Sequence, residues 1–499
     1  MLIGFLISGI NIETLNSLQS NQRNSVTSLD SNLDKQFGQT QLTIPTLIDA
    51  RENNNRIELS IIKSQKEFYE GVKSDTYGYN GNFLGPTIRA YKGDDLEITY
   101  SNKLSEPTTV HKHGLHIPGN VDGGPQNKIL AGEELTEVLE IRQEASTNWY
   151  HPHLMGKTST QVHKGLAGLF LVEDENSLSL GLPDQYGVND IPLVVQDRFF
   201  VEGVMDYKAG LEEEEEEFIG NTIIINGDIN PELSVPSGLV RFRFLNGANA
   251  RVFRFSFSDG RDFVKIATEG GFLESGVTIN EMTMASGERN EIIVDFANTE
   301  EVYLVTDENP GQEKRNRTFK KIKIMKITVD NSLPNQVQKI PQLLNSIDFY
   351  SERDIVKTRT FNLETGNNRG NNRGNDRSSH NAEEGDSHRS LTINGVSMNP
   401  DVINERVILG DLEKWIITSE HGVHPFHMHG ASFQILSIDG NSPSPEDKGW
   451  KDTVFFKNKA EVLVKFNLEA TEEYPYMYHC HVLEHEDMGM MGQFTVLSD

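Results

Sequence analysis

The sequence predicts an all-β protein made of three consecutive β-sandwich domains. Short runs of alternating polar and apolar residues recur along the chain, as expected for half-buried strands. Gly, Asn, Asp and Pro separate these runs, and helical periodicity is sparse. The alternating or β-rich runs lie at 56–62, 95–101, 239–246, 291–297, 414–419, 431–438 and 461–468.

A diverged internal repeat divides the strands into three units. The segments YNGNFLGP (79–86), INGDINP (225–231) and INGVSMNP (393–400) each place Asn-Gly a few residues before a proline. A glycine then opens an alternating strand in each unit, and these glycines are Gly93, Gly238 and Gly410. Three units in the same local order predict three domains of similar plan.

The expected domain limits follow from the repeat and from the composition between its copies. We expect sandwiches at 45–178, 179–335 and 391–499. Residues 1–44 are expected to form a leader or a disordered N-terminus, because much of this segment is polar. Residues 336–390 are expected to be a linker that ends in a low-complexity loop.

The charge balance argues against one class of partner. The chain carries 46 Lys and Arg against 74 Asp and Glu, which gives a formal net charge of −28. Nucleic acid binding needs a basic surface, so we expect no nucleic acid partner. The acidic run LEEEEEE (211–217) is expected to be a solvated loop.

The N-terminal segment leaves the location of the protein open. Its apolar run, from Leu2 to Ile10, is too short to span a bilayer, and nothing later in the sequence suggests a transmembrane segment. The run is similar to a signal-peptide core, but the first basic residue is Arg23, which follows it. We therefore expect either an unusual export signal or a disordered start.

Histidines are concentrated in four short clusters. Of the 15 histidines in the chain, ten lie in HKH (111–113), HPH (151–153), HPFHMH (424–429) and HCHVLEH (479–485). Each cluster contains His-x-His, and on a strand residues i and i+2 point to the same face. Four such pairs can supply eight imidazoles to one metal cluster. Imidazole suits copper, zinc, iron and nickel, so this pattern alone leaves the metal open.

The only cysteine, Cys480, lies between two of these histidines. On a strand, His479 and His481 point one way and Cys480 points the other way. The thiolate is therefore expected to belong to a second metal site on the opposite side of the strand. Its expected partners are His424, His485 and, more weakly, Met490. Two His, one Cys and a distant Met are the ligands of a blue-copper electron-transfer site.

This constellation resembles the multicopper oxidases, a family built of three cupredoxin domains. The resemblance covers roughly residues 45–499 and includes all four copper motifs of the family. The closest likeness is to bacterial copper-efflux oxidases, and spore-coat laccases and bilirubin oxidases are more distant. The matching segments are HGLHIPGNVDGGPQ (113–126), WYHPHLMGKTSTQVHKGLAGLFLVEDE (149–175), HPFHMHG (424–430) and HCHVLEHEDMGMMG (479–492).

The resemblance implies three cupredoxin-like Greek-key sandwiches that hold four copper ions. The type 1 copper is expected to bind His424, Cys480, His485 and, axially, Met490. The type 2 copper is expected to bind His111 and His427. The two type 3 coppers are expected to bind His113, His151, His153, His429, His479 and His481. The second domain would supply no ligand and act as a spacer and packing partner.

The resemblance also implies roles in catalysis. Cys480 would pass electrons through its backbone to the neighbouring histidines. Asp122 and Glu486 match positions that supply protons to oxygen, although a turn Asp and a surface Glu are the structural alternatives. The substrate is expected near the exposed edge of His485, and Glu420 is a candidate substrate contact or a solvated loop acid.

This chain lacks methionines that the efflux oxidases carry near the type 1 copper, and their absence bears on the substrate. Those enzymes carry a methionine-rich segment over the type 1 copper, whereas here no methionine lies between Met325 and Met398. They also place a methionine two residues before the first type 1 histidine, where this chain has Gly422. We therefore expect phenols or aromatic amines as reducing substrates, with Fe(II) also open.

The sequence thus predicts a laccase-like oxidase that transfers four electrons, one at a time, from a small reducing substrate to O2. The alternatives are a cuprous oxidase in copper tolerance and a non-catalytic scaffold with the same fold. A nitrite reductase is disfavoured because it lacks the full trinuclear ligand set. The resemblance implies a monomer exported to the periplasm or cell exterior, although the weak signal leaves a cytoplasmic location open.

Overall fold

The chain folds into three β-sandwiches, which confirms the predicted all-β class. The computed structural model describes residue 37 and residues 40–212, 217–308, 320–337, 339–366, 390–419 and 422–498. Most of the expected leader, most of the low-complexity loop and the candidate Glu420 lie outside the described residues. Among the described residues, no helix has both the length and the apolar character needed to cross a membrane.

The first sandwich packs the sheet β1-β4-β9-β8-β6 on the sheet β3-β2-β5-β7. Its strands are β1 (Leu47–Asp49), β2 (Arg56–Tyr69), β3 (Val72–Tyr79), β4 (Thr87–Tyr91), β5 (Asp95–Asn102), β6 (His111–His113), β7 (Glu134–Glu140), β8 (Ser146–His151) and β9 (Gly168–Glu173). Short helices α1 (Gly119–Asp122), α2 (Thr158–His163) and α3 (Glu175–Ser179) occupy its loops.

The second sandwich packs the sheet β16-β15-β10-β18-β23-β20-β21 on the sheet β17-β25-β24-β19-β22, and carries two small ribbons, β11-β12 and β13-β14. Its first strands are β10 (Asp190–Arg198), β11 (Phe200–Val201), β12 (Val204–Met205), β13 (Leu211–Glu212), β14 (Glu217–Phe218), β15 (Thr222–Ile225), β16 (Asp228–Ile229) and β17 (Glu232–Val235). The others are β18 (Leu239–Asn246), β19 (Phe253–Phe257), β20 (Phe263–Thr268), β21 (Gly271–Ile279), β22 (Met282–Met284), β23 (Arg289–Asp295), β24 (Glu301–Asp307) and β25 (Lys321–Val329).

The third sandwich packs the sheet β27-β26-β29-β33-β31 on the sheet β28-β35-β34-β30-β32. Its strands are β26 (Lys357–Gly366), β27 (Ser390–Ile393), β28 (Glu405–Ile408), β29 (Leu412–Ser419), β30 (His424–Met428), β31 (Phe433–Ile438), β32 (Thr453–Phe456), β33 (Lys459–Lys465), β34 (Tyr476–Cys480) and β35 (Met491–Leu497). Helix α4 (Leu483–Asp487) follows β34.

The repeated Asn-Gly segments have one structural role in all three sandwiches. The side chains of Asn80, Asn226 and Asn394 each donate to one carbonyl of a strand and accept from the amide two residues further on. The carbonyl and the amide partners are Glu58 and Ser60 for Asn80, Pro192 and Val194 for Asn226, and Thr360 and Asn362 for Asn394. The strands involved, β2, β10 and β26, each run parallel to the strand beside them, β5, β18 and β29. The repeat thus marks equivalent positions in the three units.

The third sandwich begins earlier than expected. Strand β26 falls in the range 336–390 that was expected to be a linker, yet Phe361 pairs with Ile417 of β29. Phe361 is buried, and its ring centroid lies 4.6 Å from those of Trp415 and Tyr478. The boundary of the third sandwich therefore moves to include β26.

The start of the chain needs a similar correction. Gln41 forms a bridge with Glu232, and Leu42 is buried in the core of the second sandwich. Residues 40–44 are therefore packed against that sandwich rather than being part of a disordered leader.

The first and third sandwiches are joined directly by helices α2 and α4. The Asp487 carboxylate accepts hydrogen bonds from the backbone amides of Thr158 (3.0 Å) and Ser159 (2.8 Å), at the start of α2. Elsewhere in the interface, the Tyr476 hydroxyl donates to the carbonyl of Ile117 at 2.6 Å. These contacts hold β6 and β8 of the first sandwich against β30 and β34 of the third.

We predict that Phe361→Ala lowers the free energy of unfolding by about 3–5 kcal/mol, because it leaves a cavity in a closely packed core. The measurement is denaturant unfolding of the metal-free protein. Phe349→Ala is the matched control, since Phe349 lies in the same expected linker but is 53% exposed. Equal effects of the two substitutions would contradict the assignment of β26 to the core.

Candidate metal centre

The four His-x-His segments meet because of how their strands pair. In the first sandwich, β6 and β8 run antiparallel and set His111 opposite His151. In the third, β30 and β34 run antiparallel and set His427 opposite His479. The interface between the two sandwiches brings both strand pairs together. All eight imidazoles are buried, and they are His111, His113, His151, His153, His427, His429, His479 and His481.

Backbone carbonyls orient half of these rings. A carbonyl oxygen only accepts a hydrogen bond, so a ring nitrogen facing it carries the proton, and the other nitrogen keeps a lone pair. In the first sandwich, Nδ1 of His111 lies 2.9 Å from the carbonyl of Asp122, and Nδ1 of His151 lies 2.8 Å from that of Pro152. In the third, Nδ1 of His427 lies 2.8 Å from the carbonyl of Asp452, and Nδ1 of His479 lies 3.0 Å from that of Cys480. The Nε2 atoms of these four rings are therefore unprotonated and point into the cluster.

Side chains orient three of the others. The Asp122 carboxylate accepts from Nδ1 of His429 at 2.7 Å. The Asp452 carboxylate accepts from Nε2 of His113 at 3.2 Å. The Ser286 hydroxyl donates to the carbonyl of His481, so its oxygen accepts from Nδ1 of the same ring at 3.1 Å.

Ring nitrogens of these histidines then face one another at short range. Nε2 of His479 lies 3.3 Å from Nε2 of His429 and 3.1 Å from Nε2 of His153. Nε2 of His481 lies 3.3 Å from Nδ1 of His113. Facing lone pairs repel unless a cation lies between them, and imidazoles that share one metal ion have this spacing. Among the described residues, the buried Nε2 atoms of His111, His151 and His427 have no hydrogen-bond partner.

Burial favours the neutral form, which is the form that binds metal, in seven of the eight imidazoles. Burial is the largest cause that lowers the pKa of His113, His151, His153, His427, His429, His479 and His481, and neighbouring histidines lower most of them further. The donor set therefore fits a metal cluster of several ions.

The two carboxylates proposed for proton supply differ in charge. Burial would raise the pKa of Asp122, but the imidazoles of His429 and His111 lower it below its usual range. Burial and then the charge of Asp487 raise the pKa of Glu486 well above its usual range. The Glu486 carboxyl lies 3.4 Å from Nδ1 of His153 and 3.4 Å from Nδ1 of His479. Asp122 is thus ionised beside the cluster, and Glu486 holds a proton there.

A second constellation surrounds Cys480 on the other side of β34. Its Sγ lies 3.4 Å from Nδ1 of His424 and 3.6 Å from Nδ1 of His485, and all three residues are buried. Met490 is buried in the same core, and its carbonyl accepts from the Cys480 amide at 3.1 Å. Burial raises the pKa of the Cys480 thiol, so a metal cation is needed to favour the thiolate here.

One acidic residue at this second site was misread in the sequence. Glu217, in the run expected to be a solvated loop, is in strand β14, and Oε1 lies 4.0 Å from Nε2 of His485. This is the ring nitrogen of His485 opposite the one that faces Cys480. No local motif identifies Glu217, because the contact joins the second sandwich to the third.

Other residues next to the eight imidazoles were also missed. Asp452, Ser286 and Arg289 are buried around His113 and His481. Their contacts join different sandwiches, and nothing in their immediate sequence marks them.

Comparisons with known proteins agree with this geometry. Residues 61–177 and 365–499 match multicopper oxidase domains. The chain is 35% identical to multicopper oxidase mco of Staphylococcus aureus, over 93% of this chain and 94% of that protein. It is 33% identical to cell division protein FtsP of Photorhabdus laumondii, over 92% of this chain and 93% of that protein.

A solved structure is similar along most of the chain. The laccase-like multicopper oxidase CueO from the lignin-degrading bacterium Ochrobactrum sp. superimposes with a TM-score of 0.81 at 37% identity, covering 91% of this chain and 100% of that one. The fold and the two constellations thus define a cupredoxin-like metalloprotein with buried histidine-rich metal sites. The chain belongs to the multicopper oxidase family, and that membership implies that it binds copper.

We predict that copper stabilises the folded protein through the facing imidazoles. At a free copper concentration of about 1,000 times the dissociation constant, each site adds about 4 kcal/mol to the free energy of unfolding. His479→Gln should remove much of this copper-dependent increment. His163→Gln is the matched control, because His163 is also buried but packs against Tyr207 and Phe218.

The measurement is thermal unfolding of each variant with and without copper. An increment that survives in His479→Gln, or that is lost equally in His163→Gln, would contradict the placement of the metal.

Proposed function

We propose that the protein is a copper-dependent oxidase that couples four one-electron oxidations of a small reducing substrate to the reduction of O2 to two waters. The bound copper ions would supply the one-electron steps and the reduction of oxygen. The observation that carries the proposal is that Cys480, at the end of β34, provides the thiol of one site, while its two chain neighbours, His479 and His481, belong to the other.

Four copper ions are proposed, with the ligands grouped as the family resemblance implies. The facing nitrogens of His153, His429 and His479, and those of His113 and His481, support this grouping. His424, Cys480, His485 and Met490 would hold the type 1 ion. His111 and His427, with their inward Nε2 atoms, would hold the type 2 ion. The type 3 pair would take His113, His151 and His481 on one side, and His153, His429 and His479 on the other.

The backbone of β34 is the proposed electron route. Cys480 is covalently bonded to both His479 and His481, and its carbonyl also accepts from Nδ1 of His479 at 3.0 Å. An electron taken up at the copper ion that Cys480 would hold therefore has a path of bonds to both histidines. The buried position of all three residues keeps solvent out of this path.

Asp122 and Glu486 are the proposed proton carriers. Reducing one O2 to two waters consumes four protons, so acids beside the cluster have a chemical purpose. Glu486 would deliver a proton from the side of His153 and His479. Asp122 would stay ionised, hold the orientation of His429, and help to resupply protons to the cluster.

Phenols and aromatic amines are the proposed reducing substrates. The Glu217 carboxylate beside Nε2 of His485 supports this, because it can accept the hydrogen bond and then the proton of a phenol that loses an electron. The lack of methionines between Met325 and Met398 weakens the case for a dedicated cuprous ion site. Glu420 remains a candidate contact outside the described residues.

Two alternatives have specific support. Glu217 is also a suitable oxygen ligand for a metal ion, which keeps a cuprous oxidase as the second candidate. A cell division protein, FtsP, is among the relatives, which raises a non-catalytic role. This chain has all twelve proposed copper ligands, and that favours the oxidase. We propose that the protein acts as a monomer outside the cytoplasm, as the family resemblance implies.

We predict that the copper-loaded protein consumes O2 with a methoxyphenol as the only reductant and no free copper. Cys480→Ser should abolish the uptake, because it removes the thiolate that would hold the type 1 copper and begin the path to the cluster. Oxygen consumption is followed with an electrode, in parallel with Cu(I) as reductant. Uptake with Cu(I) alone would favour the cuprous oxidase, and a loaded protein inactive with both would contradict the proposal.

We predict that Glu217→Gln lowers kcat/KM for the phenol about tenfold, the effect of losing one hydrogen bond to a partly exposed charged group. Glu300→Gln, an exposed carboxylate of the same sandwich, is the control and should change nothing. Steady-state rates are compared at equal copper content. A Glu217 variant with unchanged kcat/KM would remove this residue from the substrate site.

A further inference from the structure

The loop at residues 285–289 of the second sandwich reaches the metal cluster, although this domain was expected to act as a spacer. It follows β22, and its last residue, Arg289, begins β23. Its members Ser286, Gly287 and Arg289 all contact the cluster histidines or a residue that touches them. Ser286 and Gly287 contact a proposed copper ligand directly, and Arg289 acts on the ligands through Asp452.

Arg289 joins all three sandwiches at one point. Its guanidinium donates to both carboxylate oxygens of Asp452, at 2.8 and 2.5 Å. Its Nε donates to the carbonyl of Thr147 at 3.0 Å, and Nη1 also donates to the carbonyl of Gly287 at 3.0 Å. The side chains of Arg289 and Asp452 are 0% and 2% exposed, so the pair is shielded from solvent. A two-pronged contact of this kind fixes the plane of the carboxylate.

Asp452 in turn orients two cluster histidines. Its Oδ1 accepts from Nε2 of His113, which leaves Nδ1 of that ring bare and facing the cluster. Its backbone carbonyl accepts from Nδ1 of His427, which leaves Nε2 bare. Carboxylates and carbonyls that accept from the outer nitrogen of a ligand histidine fix its tautomer and raise its basicity. One residue thus prepares two different ligands.

Ser286 and Gly287 constrain a third ligand, His481. The Ser286 hydroxyl accepts from Nδ1 of His481 at 3.1 Å. The Gly287 backbone has a φ of +84° and lies against the ring, and a Cβ there would be 2.7 Å from Cδ2 of His481. Only glycine leaves room for the imidazole at this position. The loop therefore holds the ring both by its outer nitrogen and by its face.

We propose that Arg289, Asp452 and Ser286, called here the interdomain clamp, are positioning residues that hold His113, His427 and His481 ready for copper. The second sandwich is then part of the construction of the cluster rather than a spacer. This inference rests on the proposed copper cluster. It assigns Arg289 a role beyond stability, because its two hydrogen bonds fix the plane of the Asp452 carboxylate that accepts from His113.

The test compares Arg289→Lys, Ser286→Ala and Asp452→Asn with the wild-type protein. Arg289→Lys keeps a positive charge but loses the planar fork that orients Asp452. The matched control is Arg251→Lys, since Arg251 is also a buried arginine of the second sandwich paired with a carboxylate, Asp197, at 2.7 Å. The Arg251–Asp197 pair makes none of the described hydrogen bonds to the cluster histidines.

The readouts are copper bound per chain under competition with a chelator, the type 2 signal in electron paramagnetic resonance, and the blue absorption of the type 1 site. We expect the three clamp variants to bind cluster copper about 10–100-fold more weakly, as for other residues that orient metal ligands. Their type 2 signal should change, while the blue absorption stays. The Arg251→Lys control should match the wild type in all three.

Two outcomes would overturn the inference. Clamp variants with wild-type copper affinity and an unchanged type 2 signal would show that the clamp does not position the ligands. Loss of the blue absorption together with the cluster signals would indicate general destabilisation instead. A wild-type protein that binds no cluster copper would refute the proposed function itself, so the two failures can be told apart.

Discussion

The structure depends on one electrostatic constraint, the close approach of unprotonated imidazole nitrogens at the interface of the first and third sandwiches. His429 faces His479 within the third sandwich, and His113 faces His481 across the interface, each pair at 3.3 Å. The outer nitrogens are occupied by carbonyls, carboxylates and a hydroxyl, so the rings cannot change tautomer without losing a hydrogen bond. Burial removes the alternative of protonation. A bound cation is the arrangement that satisfies all of these restraints together.

The rest of the molecule maintains this constraint. Helices α2 and α4 and the Tyr476 hydroxyl hold the two ligand-bearing sandwiches together, and the second sandwich closes the cluster from a third side. Buried carboxylates in this region are paired or protonated, as the low dielectric of the interior requires. Asp122 is stabilised by imidazoles and Asp452 by Arg289, whereas Glu486 retains its proton. The interactions that stabilise these buried carboxyl groups therefore also place ionised carboxylates, Asp122 and Asp452, and a protonated carboxyl group, Glu486, around the cluster.

Much of the fold and of the ligand set could be predicted from local sequence. Alternation of polar and apolar residues has a direct physical meaning in a strand, and His-x-His directs two side chains to one face. The Asn-Gly repeat was correctly interpreted as a mark of three similar units. Strand β26 was missed because it borders a low-complexity loop and carries Arg359, which is buried through its pairing with Glu413 and Glu405.

The parts that could not be predicted are contacts between distant segments. Glu217 lies in a run of glutamates whose composition indicates a solvated loop, yet it comes close to His485 through domain packing. Asp452, Ser286 and Arg289 are ordinary residues of their own strands and loops. Their importance arises only when three sandwiches meet, and a single sequence carries no signal for such long-range contacts.

The most direct test of the central claim is a crystal structure of the copper-loaded protein with anomalous diffraction measured at the copper edge. The account predicts four copper peaks. One lies between Cys480, His424 and His485, and three lie among the eight imidazoles between the first and third sandwiches. A map with no copper among the facing nitrogens, or with only the peak at Cys480, would contradict it.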